Sequence, residues 1–382
     1  MSLQNSPLIT AIHAVQPADG PTIVRVDCDA GVSGYGASFA SGASMREAIA
    51  ALHNGRLPHL DLVGKPALAI DVHHHNMLYA YPQGMRAPQV YAGIDIALWD
   101  LAGKLLGQPV AVLLGGPHRS EISLYSHCTG GDYLSRDEWK QRAREMREDP
   151  HGFKAYKIDI HHALGGRMQE RIVSIGPREV YRLETAYALA REALGDDIDI
   201  IVHCHCELDL PSAMRVAKVI ERIRPLWFED PMTYAFSDAW LALRRSTSVP
   251  IMTGENLQLP EQFEPFLAHG TVDCIQPDLI TCGGISAARK IAALAQVHRV
   301  AMTCHNVSGA ILNAASQQVS ASVYDCPMME CVRRPEQYRG VLDQPIVIRD
   351  GRMQITTAPG LGIEIDEDYL RAHLAPGEPW WG

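Results

Sequence analysis

The chain has 382 residues, 47% of them hydrophobic and 20% charged, with a formal net charge of −10. That length corresponds to two or three domains, or to one barrel with an appendage. The acidic balance argues against a surface for nucleic acid or anionic lipid, and the 44 acidic residues form no long run, which excludes an acidic disordered tail. No apolar stretch reaches the roughly 18 residues of a membrane span, and Met1–Pro7 lacks the basic start and apolar run of a secretory signal. Nine scattered cysteines, an odd number, disfavour a disulfide framework. The expectation is a soluble, reduced, cytoplasmic protein without a nucleic-acid or membrane partner.

In chain order, Thr22–Asp27 reads as a strand. The Gly-rich run Ala30–Gly36 follows, then a helical stretch around Arg46–Leu52. Gln89–Leu106 has helical spacing, with Val90, Ile94, Ala97, Leu98, Leu101 and Leu105 on one apolar face. From about residue 120 short β-rich runs alternate with amphipathic stretches: Glu121–Ser126, Lys154–Ile160, Ile198–His203, Leu226–Glu229, Pro250–Thr253, Asp273–Pro277, Val300–Cys304 and Pro327–Cys331. Helices are expected at Ser212–Ile223, Ser237–Arg245, Ile285–Val297 and Ala310–Val323. Strands alternating with helices make a parallel sheet that closes on itself, with the last crossover incomplete. Val341–Ile365 is again β-like, with turns at Asp350-Gly351 and Pro359-Gly360. The fold class is therefore α/β, a TIM-like barrel over 119–334. Residues 1–118 form an α+β capping domain, and 335–382 return to that cap.

His203, Glu229, Glu255, Asp278, His305 and Glu330 end successive strands at spacings of 26, 26, 23, 27 and 25 residues. One βα unit has about that length, so each falls at the carboxyl face of the barrel, where catalytic residues gather. A strand points alternate side chains to opposite faces. His203, His205 and Glu207 would share a face if the strand runs that far, with Cys204 and Cys206 turned towards packing helices. That disfavours a His/Cys zinc cluster, which would also want a second ligand pair. Glu229 and Glu255 end apolar strands, where a carboxylate is costly unless paired or bound to a cation. With His203 they offer a divalent-metal site; the plainer alternative is a salt bridge to Lys157. Asp278 next to His305 would fix the imidazole tautomer and raise its basicity, as a general base requires. Glu330 is a candidate partner for substrate. His73, His74, His75, His161 and His162 read as loop residues, and Tyr35, Ser38 and His75 as candidate lid contacts.

These motifs carry a resemblance. Ala92–Asp100 (AGIDIALWD), Leu113–Gly116, Phe228–Pro231, Gly254–Asn256, Gln276–Asp278 with Gly283–Ile285, and Cys304–Asn306 occur together and in order. The chain resembles the enolase superfamily, mandelate racemase subgroup, and most closely its galactonate-type acid-sugar dehydratases. The resemblance implies a (β/α)7β barrel with a cap and a Mg²⁺ ion on three strand-end carboxylates. It also implies removal of the proton beside a substrate carboxylate to give a metal-stabilised enediolate. Asp278 and His305 match the dyad, with His305 as base. His205 matches the general acid that protonates the departing β-hydroxyl, so that the product is a 2-keto-3-deoxy acid. Lys157 and Glu330 would stabilise developing charge.

Asp159 stands where racemases keep a second lysine, which disfavours two-base racemisation. His203 departs from the pattern, which has Asp. Three outcomes follow: weak Mg²⁺ binding helped by Glu207 or water, preference for Mn²⁺, Fe²⁺ or Zn²⁺, or loss of the usual chemistry. The leading expectation is a metal-dependent lyase acting on a small sugar acid. The alternatives are an epimerase or racemase through the same enediolate, and a catalytically silent sugar-acid binding protein. The family also implies a homo-oligomer.

Overall fold

The computed structural model describes residues 6–53, 60–79, 87–165, 172–331 and 346–381. The expected domain boundary at 334/335 and residues 341–345 lie outside them. Three antiparallel strands open the chain, β1 (Ile9–Val15), β2 (Thr22–Cys28) and β3 (Ser33–Ser38), in that spatial order. Helix Gly42–Leu52 follows, its first turn capped by Ser41 Oγ on the Ser44 amide.

Helix Pro88–Leu106 joins the cap to the barrel. Its middle, from Ala92 to Gly103, is buried on every side rather than along one face. β3 covers one side and barrel helices the other. Trp99 Nε1 donates to Ser286 Oγ at 2.9 Å, and Asp95 Oδ2 accepts the Ser286 amide at 2.9 Å, so polar groups inside the helix are used at the seam. The glycines of the 30–36 run explain how close β3 comes: a Cβ on Gly36 would lie 1.9 Å from Gly93 O, and one on Gly34 2.1 Å from Ala97 O. Gly36→Ala must push the helix off the sheet, and overpacking of this kind costs about 1–3 kcal/mol or more. A urea titration should show the loss; an unchanged midpoint would mean the contact is looser than described.

The barrel follows in eight parallel strands: β4 (Glu121–Cys128), β5 (Ala155–Asp159), β6 (Asp199–His203), β7 (Trp227–Glu229), β8 (Ile251–Thr253), β9 (Cys274–Ile275), β10 (Ala301–Met302) and β11 (Met329–Glu330). The ladder runs from β4 to β10 in sequence, and β11 pairs with β4 on its other side. Between β10 and β11 the Glu330 amide donates to Cys304 O at 3.4 Å. The interior is plugged by one residue from each of six strands, Tyr125, Ala155, Ile201, Trp227, Met252 and Cys274. Two residues further along five of those runs come His127, Lys157, His203, Glu229 and Gln276, so the two-residue period of the strands carries the apolar plug directly into a polar mouth.

Four amphipathic segments fold as Leu210–Ile220, Asp238–Ser246, Gly284–His298 and Gly309–Ser322, close to expectation. Helices Arg136–Glu148, Pro177–Leu194 and Leu259–Ala268 complete the layer. A hairpin of β12 (Ile348–Arg349) and β13 (Arg352–Gln354) adds antiparallel to the start of β4. Beyond it the chain reaches the cap: the Val110 amide donates to Gly360 O, the Ala18 amide donates to His373 O, and Arg25 pairs with Glu367 at 3.0 Å. All nine cysteines are buried and form no disulfide. No helix among the described residues is long and apolar enough to cross a membrane.

Two loop expectations fail. His73, His74 and His75 lie on helix Ile70–Tyr79, where His73 and His74 are buried; the His74 ring meets Gly283 O at 3.2 Å. His161 is fully buried on the short helix Ile160–Leu164, which also carries His162. A polar run of histidines reads as surface in sequence, yet neutral imidazoles can be buried when a carbonyl or carboxylate meets the ring.

Candidate active site

The carboxyl ends of the barrel strands bring Lys157, His203, His205, Glu229, Glu255, Asp278, His305 and Glu330 together. Lys157 is at the centre, its Nζ 2.7 Å from Glu229 Oε1 and 2.6 Å from Glu330 Oε1. All three are essentially buried. Burial alone would lower the Lys157 pKa, but Glu229 and Glu330 outweigh it and hold the ammonium form. The plain salt-bridge reading of Glu229 is thus half of the answer. Its Oε1 takes Lys157 and also Gln276 Nε2 at 2.7 Å, while its buried Oε2 has no hydrogen-bond partner.

Asp278 ends its strand as the N-cap of the four-residue helix Leu279–Cys282. Its Oδ1 accepts the Ile280 and Thr281 amides at 2.8 and 3.1 Å. This leaves Oδ2 aimed at His305 Nδ1, 2.9 Å away. Nδ1 is therefore the donor, and Nε2 is the nitrogen that faces the mouth, 3.2 Å from Glu255 Oε2 and 3.6 Å from Glu330 Oε2. Burial would lower the His305 pKa, but Glu330, Glu255 and Asp278 push it up to about 10. Glu330 is further fixed by His127 Nε2 and by the Asn306 amide.

On the other side the strand does not run through His203 to Glu207. β6 stops at His203, and the chain turns through left-handed residues His205 (φ 52°) and Cys206 (φ 59°). The turn still brings His205 back to the site: its Nδ1 lies 2.8 Å from Asp159 Oδ2. Cys204 packs among the helices as expected. Cys206 instead lies beside Asn256, and Glu207 turns away to His161 Nε2 (3.3 Å) and the Ile172 amide (2.6 Å). Asp159 is the hub. Oδ1 meets His161 Nδ1 at 2.7 Å, and Oδ2 is shared by His205 and by His203 Nδ1 at 3.5 Å. Burial would raise its pKa, but contacts with His161, His203 and His205 hold its carboxyl far below the usual carboxylate range.

His203 points its other nitrogen into the mouth. Nε2 is buried, has no hydrogen-bond partner, and lies 3.8 Å from Glu229 Oε1 and 3.7 Å from Glu255 Oε2. Asp230 completes this corner. Its backbone is left-handed (φ 44°), its Oδ1 takes the Gly254 amide, and its buried Oδ2 is unpartnered. Ligand atoms of His203, Glu229, Asp230 and Glu255 all lie within 4.8 Å of one another. Unpartnered buried nitrogen and oxygen atoms converging from an imidazole and carboxylates fit a divalent cation. His205, His127, Glu255 and His305 keep side-chain exposures of 25, 24, 12 and 12%, so a small solute can reach them.

Sequence reasoning missed Asp230, Asp159 as a partner for imidazoles, His161, Gln276 and His127. Asp230 was detectable as the second acid in a strand-ending Glu-Asp-Pro. Strand alternation turns it outward on paper, and only the left-handed residue brings it back. Tyr35 and Ser38 are not lid contacts: Tyr35 Oη donates to Glu367 and Ser38 Oγ to Gln89 O, both within the cap and its C-terminal cover. A separate cavity of about 570 Å³ lies between helices Gly284–His298 and Gly309–Ser322, at the opposite end of the barrel.

Two family models match the chain. One is the mandelate racemase/muconate lactonizing enzyme N-terminal domain, over residues 2–115, and the other the enolase C-terminal domain-like family, over residues 138–369. This chain is a member of the enolase superfamily, in its mandelate racemase subgroup. Among curated relatives, the D-xylonate dehydratase of Haloferax volcanii is 31% identical over 362 residues, 93% of this chain and 86% of the relative. The D-galactonate dehydratase of Variovorax paradoxus is 30% identical, over 98% of this chain and 96% of its own length. A mandelate racemase/muconate lactonizing enzyme-like protein from Rubrobacter xylanophilus superposes with a TM-score of 0.87 at 29% identity, covering 99% of this chain and 100% of that one. Superfamily membership agrees with the barrel and cap described above.

Proposed function

We propose that this superfamily member is a cation-dependent acid-sugar dehydratase, converting a small sugar acid to a 2-keto-3-deoxy acid. The observation that carries this reading is the placement of two histidines. His305, hydrogen-bonded to Asp278, and His205, whose Nδ1 lies 2.8 Å from Asp159 Oδ2, follow strands β10 and β6, which stand four apart in the order of eight, with the Glu229 and Glu255 strands between them. The curated relatives, named as dehydratases of sugar acids, support it.

His203, Glu229 and Glu255 would hold the cation, with Asp230 beside them. When bound, it would offset the crowded carboxylates and draw electron density from a substrate carboxylate. With Glu255 taken by a cation, one of the charges that hold a proton on His305 is removed, and the deprotonated Nε2 takes the proton from C2. The C–H electron pair first delocalises into the substrate carboxylate as an enediolate; it then forms the C2–C3 double bond as the C3 hydroxyl leaves, and His205 gives that hydroxyl its proton, releasing water. The resulting enol takes a proton at C3 and becomes the keto acid. Lys157, cationic and 2.6–2.7 Å from two glutamates, supplies a fixed positive charge at the floor of the site.

A panel of aldonic and aldaric acids with a divalent cation, scored for 2-keto acid, tests the reading. In the same assay His205→Asn should lose dehydration by about 10²–10⁴-fold while retaining solvent exchange at C2. Equal loss of both would remove His205 as the acid.

Cation affinity should also depend on pH. Burial opposes charge on His203, but Glu229 above all, with Glu255 and Asp159, overcomes it and pushes the pKa to about 9. A proton on Nε2 must leave before a cation takes its place, so affinity rises with pH below about 9, by about tenfold per unit if one proton is displaced. Calorimetry at pH 6, 7 and 8 in buffers of different ionisation enthalpy reads the released proton. A flat profile would place the cation away from His203.

The most direct alternative, an epimerase acting through the same enediolate, would use His205 and His305 on opposite faces of the substrate; solvent exchange at C2 without keto-acid formation would favour it.

A further inference from the structure

We infer that the cation site is built for a transition metal rather than Mg²⁺, through a carboxylate–imidazole–metal relay formed by Asp159 and His203. This rests on the proposal that a cation sits among His203, Glu229 and Glu255, and it adds which cation and why.

Three observations on this chain carry it. First, a carboxylate stands behind the His203 ring, within ion-pair distance of it. The ring's Nδ1 is 3.5 Å from Asp159 Oδ2, and Asp159 is itself pinned by His161 Nδ1 at 2.7 Å and by accepting the His161 amide at 2.8 Å. A carboxylate on the rear nitrogen of a histidine orients the ring and makes the front nitrogen a better donor. Second, that front nitrogen, Nε2, is buried, unpartnered and placed between Glu229 and Glu255 at 3.8 and 3.7 Å. That nitrogen lies within ion-pair distance of both carboxylates yet is hydrogen-bonded to neither, which is the spacing that a cation shared between them would use. Third, oxygen donors are free for the ion: Glu229 Oε1 is engaged by Lys157 and Gln276, which leaves its unpartnered Oε2, and Asp230 Oδ2 beside it is unpartnered too.

Mg²⁺ is a hard cation that takes oxygen ligands and gains little from an imidazole. Mn²⁺, Fe²⁺, Co²⁺ and Zn²⁺ accept nitrogen readily, and affinity rises along that series towards Zn²⁺. The same pairing makes sense of two positions at once. Asp159 lies opposite His203 in the β5–β6 register, so the acid on one strand and the imidazole on the next are direct neighbours.

The test uses the metal-stripped full-length protein and its His203→Asp and Asp159→Asn variants, titrated calorimetrically with MnCl₂ and with MgCl₂. Pulsed electron paramagnetic resonance on the Mn²⁺ forms looks for a directly bound nitrogen. The wild type should bind Mn²⁺ on the order of 100-fold more tightly than Mg²⁺ and show the nitrogen coupling. His203→Asp should lose the coupling and bring the Mn²⁺/Mg²⁺ ratio down by about tenfold or more. Asp159→Asn should keep the coupling but weaken Mn²⁺ by about 10–100-fold. Mn²⁺ bound without nitrogen coupling, or an equal ratio in wild type and His203→Asp, overturns the inference and leaves the cation-dependent function standing. Failure of either ion to bind wild type or His203→Asp overturns both.

Discussion

Replacing His305 with Asn is expected to lower keto-acid formation by about 10²–10⁴-fold, with the folded protein otherwise intact. Asn can still donate to Asp278 Oδ2 through its amide, so the helix cap at 279–282 survives and the barrel should unfold at the wild-type denaturant concentration. What is lost is the nitrogen facing Glu255 and Glu330. Exchange of the C2 hydrogen with solvent should fall by the same factor, because this variant removes the first proton transfer. The His205→Asn variant makes the contrast: exchange stays and dehydration goes. A His305→Asn protein that still exchanges at the wild-type rate would assign the base elsewhere.

Lys157→Met should produce the largest loss of stability of any single change at the site, about 3–5 kcal/mol. Lys157 Nζ is the cation shared by two fully buried carboxylates, at 2.7 and 2.6 Å. Methionine fills most of the volume but leaves Glu229 hydrogen-bonded to Gln276 alone, with His203 at 3.8 Å, and Glu330 with His127, the Asn306 amide and His305 at 3.6 Å. Adding Glu330→Gln to Lys157→Met removes one of the stranded charges, so the double variant should recover part of the loss. Equilibrium unfolding in urea measures both. A single-variant cost below about 1 kcal/mol, the range of an exposed ion pair, would show that solvent reaches the pair.

The architecture was legible because strand ends in a barrel repeat at the length of one βα unit. Glu229, Glu255, Asp278 and Glu330 could be aligned by counting alone, and His305 joined them through its neighbour Asp278. The helix at 88–106 was legible in position but not in surroundings. Its apolar stripe suggested one buried face, whereas Gly34 and Gly36 let the sheet close over another side, and buried Asp95 and Asp100 find amide donors that no periodicity encodes.

The site was least legible where the backbone leaves regular structure. His205 was assigned to the mouth for a strand that ends two residues earlier, and it arrives there by a left-handed turn. Asp230 arrives by the same means. Asp159 drew notice only as a missing lysine. Its contact with His203 depends on β5 and β6 lying in register, and that with His205 on the turn after β6, neither of which a single chain read in order reveals. Composition bounded the partners but could not name a substrate.

The decisive measurement is mass spectrometry and NMR of the product formed from a turned-over sugar acid in D₂O with a divalent cation present. The account predicts a product lighter by one water, with a carbonyl at C2 and one solvent deuterium at C3. Sugar acid carrying deuterium at C2 with no keto acid formed, or unlabelled, unreacted acid across the whole panel, would contradict it.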